Sequence, residues 1–82
     1  MRVLLIEDDP GISSFLVKGL SAEGYQSTTA ASAAEANAAV APANMDFDIV
    51  LLDLGLPDGY GEDVLRALRQ KFTAVPVIIL TA

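Results

Sequence analysis

A chain of 82 residues with no cysteine and no histidine has room for one small domain, and it lacks disulfides, thiolate metal sites and imidazole bases or ligands. Its net charge of −6 opposes direct binding to nucleic acid, which relies on lysine and arginine to neutralise phosphates. A hydrophobic fraction of 52% argues against disorder, no apolar run approaches the ~20 residues of a membrane span, and Met1-Arg2 leads into a strand-like run rather than a secretory signal, so a cytoplasmic domain without membrane contact is expected.

Arg2 to Ile6 is short, apolar and bounded by polar residues, which predicts a buried strand. Asp9 is placed as the N-cap of a helix with Pro10 at its first position; Ile12, Phe15, Leu16, Gly19 and Leu20 form its apolar face and Gly24 its stop. Phe15, Tyr25 and Phe72 are read as packing residues. Tyr25 to Thr29 is β-prone but half polar, which suits the edge of a sheet. Ser32 and Glu35 form a capping-box pattern, so the alanine-rich stretch to about Ala41 is predicted as a second helix, ended by Pro42 and gripping the sheet weakly through small side chains.

Asp46 to Asp48 leads into a buried strand, Ile49 to Leu52, and Pro57-Asp58-Gly59 has the composition of a tight turn. Gly61 opens a third helix with Val64, Leu65 and Leu68 inward, Glu62 four residues from a partner in Arg66, and Arg69 and Lys71 near the end where the helix dipole favours cations. Val75 to Leu80 is again a strand, with Pro76 tolerable at its start. Asp46, Asp48, Asp58, Glu62 and Asp63 are read as solvated or capping charges. This β-α-β-α-β-α-β order with right-handed crossovers predicts one α/β domain over 1–82, a doubly wound parallel sheet without repeats or linkers.

Three apolar runs end on oxygen-bearing side chains: Val3 to Ile6 into Glu7, Asp8 and Asp9; Ile49 to Leu52 into Asp53; and Val77 to Leu80 into Thr81. If these are neighbouring parallel strands, their carboxyl ends open on one crevice, where open α/β sheets bind ligands. That crevice would hold acidic groups and a hydroxyl but no cation. Each residue also has a plainer reading: an acidic helix start for Glu7-Asp8-Asp9, a turn-initiating aspartate for Asp53, a β-branched strand residue for Thr81. The matching strand ends favour a metal site for Glu7 and Asp8 and leave Asp9 as the cap.

The run Leu4-Leu5-Ile6-Glu7-Asp8-Asp9-Pro10, then Asp53-Leu54-Gly55-Leu56-Pro57 followed by Gly61, then Leu80-Thr81-Ala82, resembles in order and spacing the receiver domain of two-component response regulators, a flavodoxin-like fold. The Leu-Pro-Asp-Gly loop and Leu-Thr-Ala ending are most similar to receivers that carry a winged-helix output domain, implying a part in transcription regulation for the full-length protein. The resemblance implies strand order 2-1-3-4, with the family's fifth strand and last two helices absent. It implies that Asp53 is a phosphoacceptor for a sensor histidine kinase, and that Mg²⁺ is held by Asp8, Asp53 and the Gly55 carbonyl, with Glu7 acting through water. Thr81 would donate to the phosphoryl oxygens, and Ala82 would leave the phosphate an open path. The family's lysine on the fifth strand has no counterpart here, so metal binding carries over more readily than efficient phosphorylation.

The expectation is thus a phosphoacceptor module rather than a turnover enzyme. The alternative is a truncated receiver acting only as a metal-binding interaction module. A Mg²⁺-dependent phosphatase of the haloacid dehalogenase type is disfavoured, because that class places a second carboxylate two residues after its aspartate, where this chain has Gly55. Val77-Ile78-Ile79-Leu80 is apolar on both faces with no later strand to cover it, which predicts either a piece of a longer protein or a sheet completed by another copy; the expectation combines the two, a receiver fragment that forms a homodimer or strand-swapped assembly through that edge.

Overall fold

The computed structural model describes residues 1–41 and 46–80. Strands β1 (Arg2–Ile6), β2 (Gln26–Ala30), β3 (Ile49–Leu52) and β6 (Val77–Ile79) form one sheet in the order β2-β1-β3-β6, every pairing parallel. Two short strands between β3 and the last helix, β4 (Gly55–Leu56) and β5 (Gly59–Tyr60), pair antiparallel across Pro57-Asp58. The main sheet therefore has the order expected from the sequence, with the half-polar β2 at one margin and β6 at the other.

Side chains alternate across a strand, so β1 supplies both cores. Leu4 and Ile6, with Val50, Leu52 and Ala30, face helices α2 (Ala33–Ala39) and α3 (Gly61–Lys71), which contribute Ala36, Val64 and Leu68. Val3, Leu5 and Leu51 lie on the opposite face, against Leu16, Val17 and Leu20 of helix α1 (Pro10–Ala22). Burying each such Val, Leu or Ile contributes roughly 1.5–3 kcal/mol, and the β1–β3 pair is where that burial is most complete.

The helix ends follow their sequence signals. Asp9 Oδ1 accepts from the amides of Gly11 at 2.8 Å and Ile12 at 3.1 Å, capping α1, and Gly24 takes the left-handed conformation (φ 86°) that closes it. Ser32 Oγ accepts from the Glu35 amide at 3.1 Å; the Glu35 carboxylate meets the Ser32 hydroxyl, so only half of the expected capping box forms. The expectation that Pro42 ends α2 lies outside the described residues.

Several expectations need correction. Phe15 is 75% exposed and Ile12 is also exposed, although both belong to the apolar face assigned to α1. Leu16, Val17 and Leu20 of the stripe pack on Val3, Leu5 and Leu51, and Ile12 and Phe15 lie outside that contact. Ile12, Phe15 and Leu16 line an open cavity of about 400 Å³ with Leu80. Arg66 pairs with Asp63 at 2.9 Å rather than with Glu62, an exposed contact that adds little stability. Asp46 and Asp48 are not merely solvated: the Arg2 guanidinium lies 3.1 Å from Asp46, and the Arg2 amide donates to Asp48 at 2.7 Å, fixing the start of β1 beside that of β3.

Candidate functional site

Parallel register brings the acidic residues together. Ile6 stands opposite Leu52, and the Asp53 amide donates to the Ile6 carbonyl at 2.8 Å, so the residues that follow β1 and β3 emerge side by side. One oxygen from each of Glu7, Asp8 and Asp53 lies within 4.8 Å of the others. Glu7 and Asp53 are 3% and 8% exposed, while Asp8 faces solvent.

These carboxylates are unequal. Glu7 Oε1 accepts from the Asp9 amide at 3.0 Å, whereas Oε2 is buried without a hydrogen-bond partner. Burial raises the Glu7 pKa above its ordinary value; the Asp9 amide opposes that shift, and the neighbouring charges of Asp53 and Asp8 add to it. Asp53 Oδ1 accepts from the Gly55 amide at 3.1 Å, which orients its carboxylate over the sheet edge. A buried orphan oxygen among three converging carboxylates suits a hard divalent cation such as Mg²⁺, which takes oxygen ligands. Asp9 stays out of the cluster as the helix cap, as its sequence position suggested. Thr81 and Ala82 lie outside the described residues.

The loop after Asp53 is held closely. Gly61 is buried against it: a Cβ there would fall 2.5 Å from Leu54 Cα and 2.7 Å from the Asp53 carbonyl oxygen, so only glycine fits, and its amide donates to the Leu54 carbonyl at 2.8 Å. Leu56 is anchored in the core beneath α2 and α3. Asp58, read from sequence as a solvated or capping charge, caps a helix distant in the chain: its two oxygens accept from the amides of Ala33 at 2.7 Å and Ala34 at 3.0 Å. Those amides hold its carboxyl below the ordinary value. No periodicity in the sequence connects residues 25 positions apart, so this contact was not legible beforehand.

An open cavity of about 520 Å³ adjoins the cluster, lined by Glu7, Asp8, Ser13, Thr29 and Glu35, and also by Lys18. Lys18 comes from α1, and Asp53 is not among the residues that line this cavity.

Residues 3–82 match the response regulator receiver domain. The chain belongs to this family. Receiver domains are regulatory, and this one is 49% identical over 80 residues to the transcriptional regulatory protein KdpE of Mycobacterium tuberculosis, covering 98% of this chain and 34% of that protein. The chain thus spans about a third of the length of such curated relatives. Among solved structures, the non-phosphorylated HemR receiver domain of Leptospira biflexa superposes with a TM-score of 0.92 at 38% identity, covering 99% of this chain and 64% of that one. The response regulator TrrA of Thermotoga maritima, solved in complex with Mg²⁺-BeF, gives a TM-score of 0.89 at 34% identity, with 99% of this receiver and 69% of that chain covered. TrrA is also known in complex with the histidine kinase ThkA, where the TM-score is 0.87. Among the described residues, no helix of this receiver is long and apolar enough to cross a membrane.

Proposed function

We propose that this receiver accepts a phosphoryl group on Asp53 from the phosphohistidine of a sensor kinase in the cytoplasm, and that in a longer protein this step governs a transcription-regulating output. The observation that carries the reading is the convergence of Glu7, Asp8 and Asp53 with a buried Glu7 oxygen left unpartnered. Asp8, Asp53 and the Gly55 carbonyl would hold Mg²⁺, with Glu7 acting through water. The cation, when bound, supplies the positive charge that lets an anionic phosphoryl group approach an anionic nucleophile. An Asp53 oxygen attacks phosphorus; the O–P bond forms as the P–N bond breaks, and the departing imidazole keeps the electron pair and takes a proton. The Gly55 amide, on Asp53 Oδ1, keeps the carboxylate aimed during that approach. Thr81 would donate to the phosphoryl oxygens. The TrrA structures, one with Mg²⁺-BeF and one with a histidine kinase, support the same reading.

The test is the intact mass of the chain after incubation with Mg²⁺ and an acyl phosphate donor. One added phosphoryl group in the native chain, missing from Asp53→Asn, is expected; an adduct of the same yield in that variant would show the assignment to be wrong.

A second reading rests on β6. Ile78 and Ile79 are 50% and 42% exposed on a strand at the margin of the sheet, and the apolar α1 flank of Ile12 and Phe15 adjoins it. For these 82 residues alone, a second copy pairing along that edge would bury both. The receiver would then be a metal-binding association module even where phosphorylation is slow.

A further inference from the structure

We propose that Asp58 is a positioning residue for divalent-cation binding: by clasping the amides of Ala33 and Ala34 it fixes the β4–β5 hairpin, and with it the Gly55 carbonyl, against helix α2. The inference rests on the reading of Glu7, Asp8, Asp53 and Gly55 as a Mg²⁺ site and extends it to a residue outside that cluster.

The geometry divides the work at the start of α2. The first four amides of a helix have no partner within it. Ser32 Oγ takes the amide of Glu35, while Asp58 takes those of Ala33 and Ala34 with one oxygen each. The hairpin thus supplies most of the cap of a helix that belongs to another part of the chain. Its Gly59 also comes close, since a Cβ there would lie 3.7 Å from Ala33 Cβ.

Helix α2 is seven residues long and meets the core through small side chains, with Ala36 buried, Ala33 and Ala39 against the core and Val40 at its C-cap. The hairpin is equally slight: two residues pair with two, and Leu56 is its one core anchor. Each element is marginal alone and steadied by the other through Asp58. The near end of that hairpin is Gly55, two residues from Asp53, so any freedom in the turn passes directly to the proposed carbonyl ligand. A cation demanding near-octahedral geometry penalises such freedom strongly.

Coupling of this kind is reciprocal, so Mg²⁺ in the cluster should steady the first turn of α2 by the same factor that Asp58 improves Mg²⁺ affinity. The experiment is a calorimetric Mg²⁺ titration, with amide hydrogen exchange at Ala33 and Ala34, of the native chain, Asp58→Ala, Asp58→Asn and Ser32→Ala, all well below their melting temperatures. Asp58→Ala is expected to weaken Mg²⁺ roughly five- to tenfold and to abolish the Mg²⁺-induced protection of both amides. Asp58→Asn, which retains one acceptor oxygen, should recover part of each effect. Ser32→Ala removes the other cap while leaving the hairpin clasped, and should lower the melting temperature with Mg²⁺ affinity unchanged. Native affinity in Asp58→Ala, or an equal loss in Ser32→Ala, overturns the proposal, the latter because simple fraying of α2 would then explain the loss. Should Asp58→Ala not fold, the contrast between Asp58→Asn and Ser32→Ala decides it in the same way. If the native chain itself binds no Mg²⁺, the metal reading fails and the clasp with it. If it binds and Asp58→Ala binds equally, the clasp alone fails.

Discussion

The amide of Asp53 donates to the carbonyl of Ile6 at 2.8 Å, and this single bond sets the phosphoacceptor candidate beside Glu7 at the mouth of the sheet. It is a ladder bond continued one residue past the end of β3, so the sheet register that buries Leu4, Leu5 and Ile6 also fixes the separation of the two carboxylates. Core and site are thus one construction: a slip of register would re-pair the side chains of both cores and draw Asp53 away from Glu7.

Asp53→Asn tests the centre of that arrangement. The amide keeps an oxygen to accept from Gly55 but loses the charge and the nucleophile. We expect no acyl phosphate, Mg²⁺ affinity lower by at least roughly tenfold since one of the anionic ligands is gone, and a metal-free fold no less stable than native because repulsion with Glu7 is relieved. Mass spectrometry, calorimetry and thermal melting read the three effects separately; undiminished Mg²⁺ affinity would remove Asp53 from the ligand set.

Glu7 gives a prediction with a definite sign in pH. Burial first, then Asp53 and Asp8, raise its folded pKa above the ordinary 4.5. In the window between those two values the folded chain holds more protons than the unfolded one, so metal-free stability falls as pH rises through it and stays lower above it. Glu7→Gln removes that loss. The variant should melt a few degrees above native at neutral pH without metal, and the advantage should vanish below pH 4.5, where both forms of native Glu7 are protonated. Added Mg²⁺, which favours the carboxylate, should stabilise native more than variant. Parallel melting curves across pH would refute the shift.

Much of this was legible in the sequence for reasons that can be stated residue by residue. Strands β1 and β3 were readable because continuous apolar runs of four or five residues ending in acids have few other solutions, and Asp9-Pro10 announced α1 through cap chemistry that is purely local. The grouping of Glu7, Asp8 and Asp53 followed because strand ends in a parallel sheet share one rim. What was hidden depends on distant partners. Phe15 has the spacing of a core residue, yet periodicity gives only the stripe and not which flank the sheet covers. The β4–β5 pair has just two residues in each strand, too few for alternation to show. Asp58 looks like any turn aspartate until α2 is placed above it, and Lys18 like any solvated helix charge until the cavity beside Glu7 is traced.

Gly61 connects the loop after Asp53 to α3 with no spare volume. In Gly61→Ala the new methyl would sit 2.5 Å from Leu54 Cα and 2.7 Å from the Asp53 carbonyl oxygen, both backbone atoms that cannot rotate aside. The helix or the loop must move. We expect a cost of about 1–3 kcal/mol, as for other overpacked sites, and a melting temperature lower by at least ~4 °C for a domain of this size. The shift should also weaken Mg²⁺ binding, since Asp53 and Gly55 flank the displaced Leu54. A variant as stable as native, measured by denaturant unfolding, would mean that the loop yields more easily than its contacts indicate.

The β6 edge supplies the last prediction. Ile78 projects from the same sheet face as Leu51 and is half exposed, while Ile79 projects from the other, so the strand offers apolar side chains on both faces along an edge whose backbone has no strand partner among the described residues. Such edges pair with other edges unless a charge stands on them. A chain of net charge −6 resists association in general, which makes a local lysine a sharp probe: Ile78→Lys lowers the overall repulsion yet places a charge where two copies would meet. If the edge drives association, light scattering should report dimers of the native chain and monomers of the variant, despite the smaller net charge. If both are monomers, the apolar edge is tolerated without pairing; if both are dimers, the contact lies elsewhere, and Phe15→Ser on the adjoining α1 flank becomes the substitution that should break it.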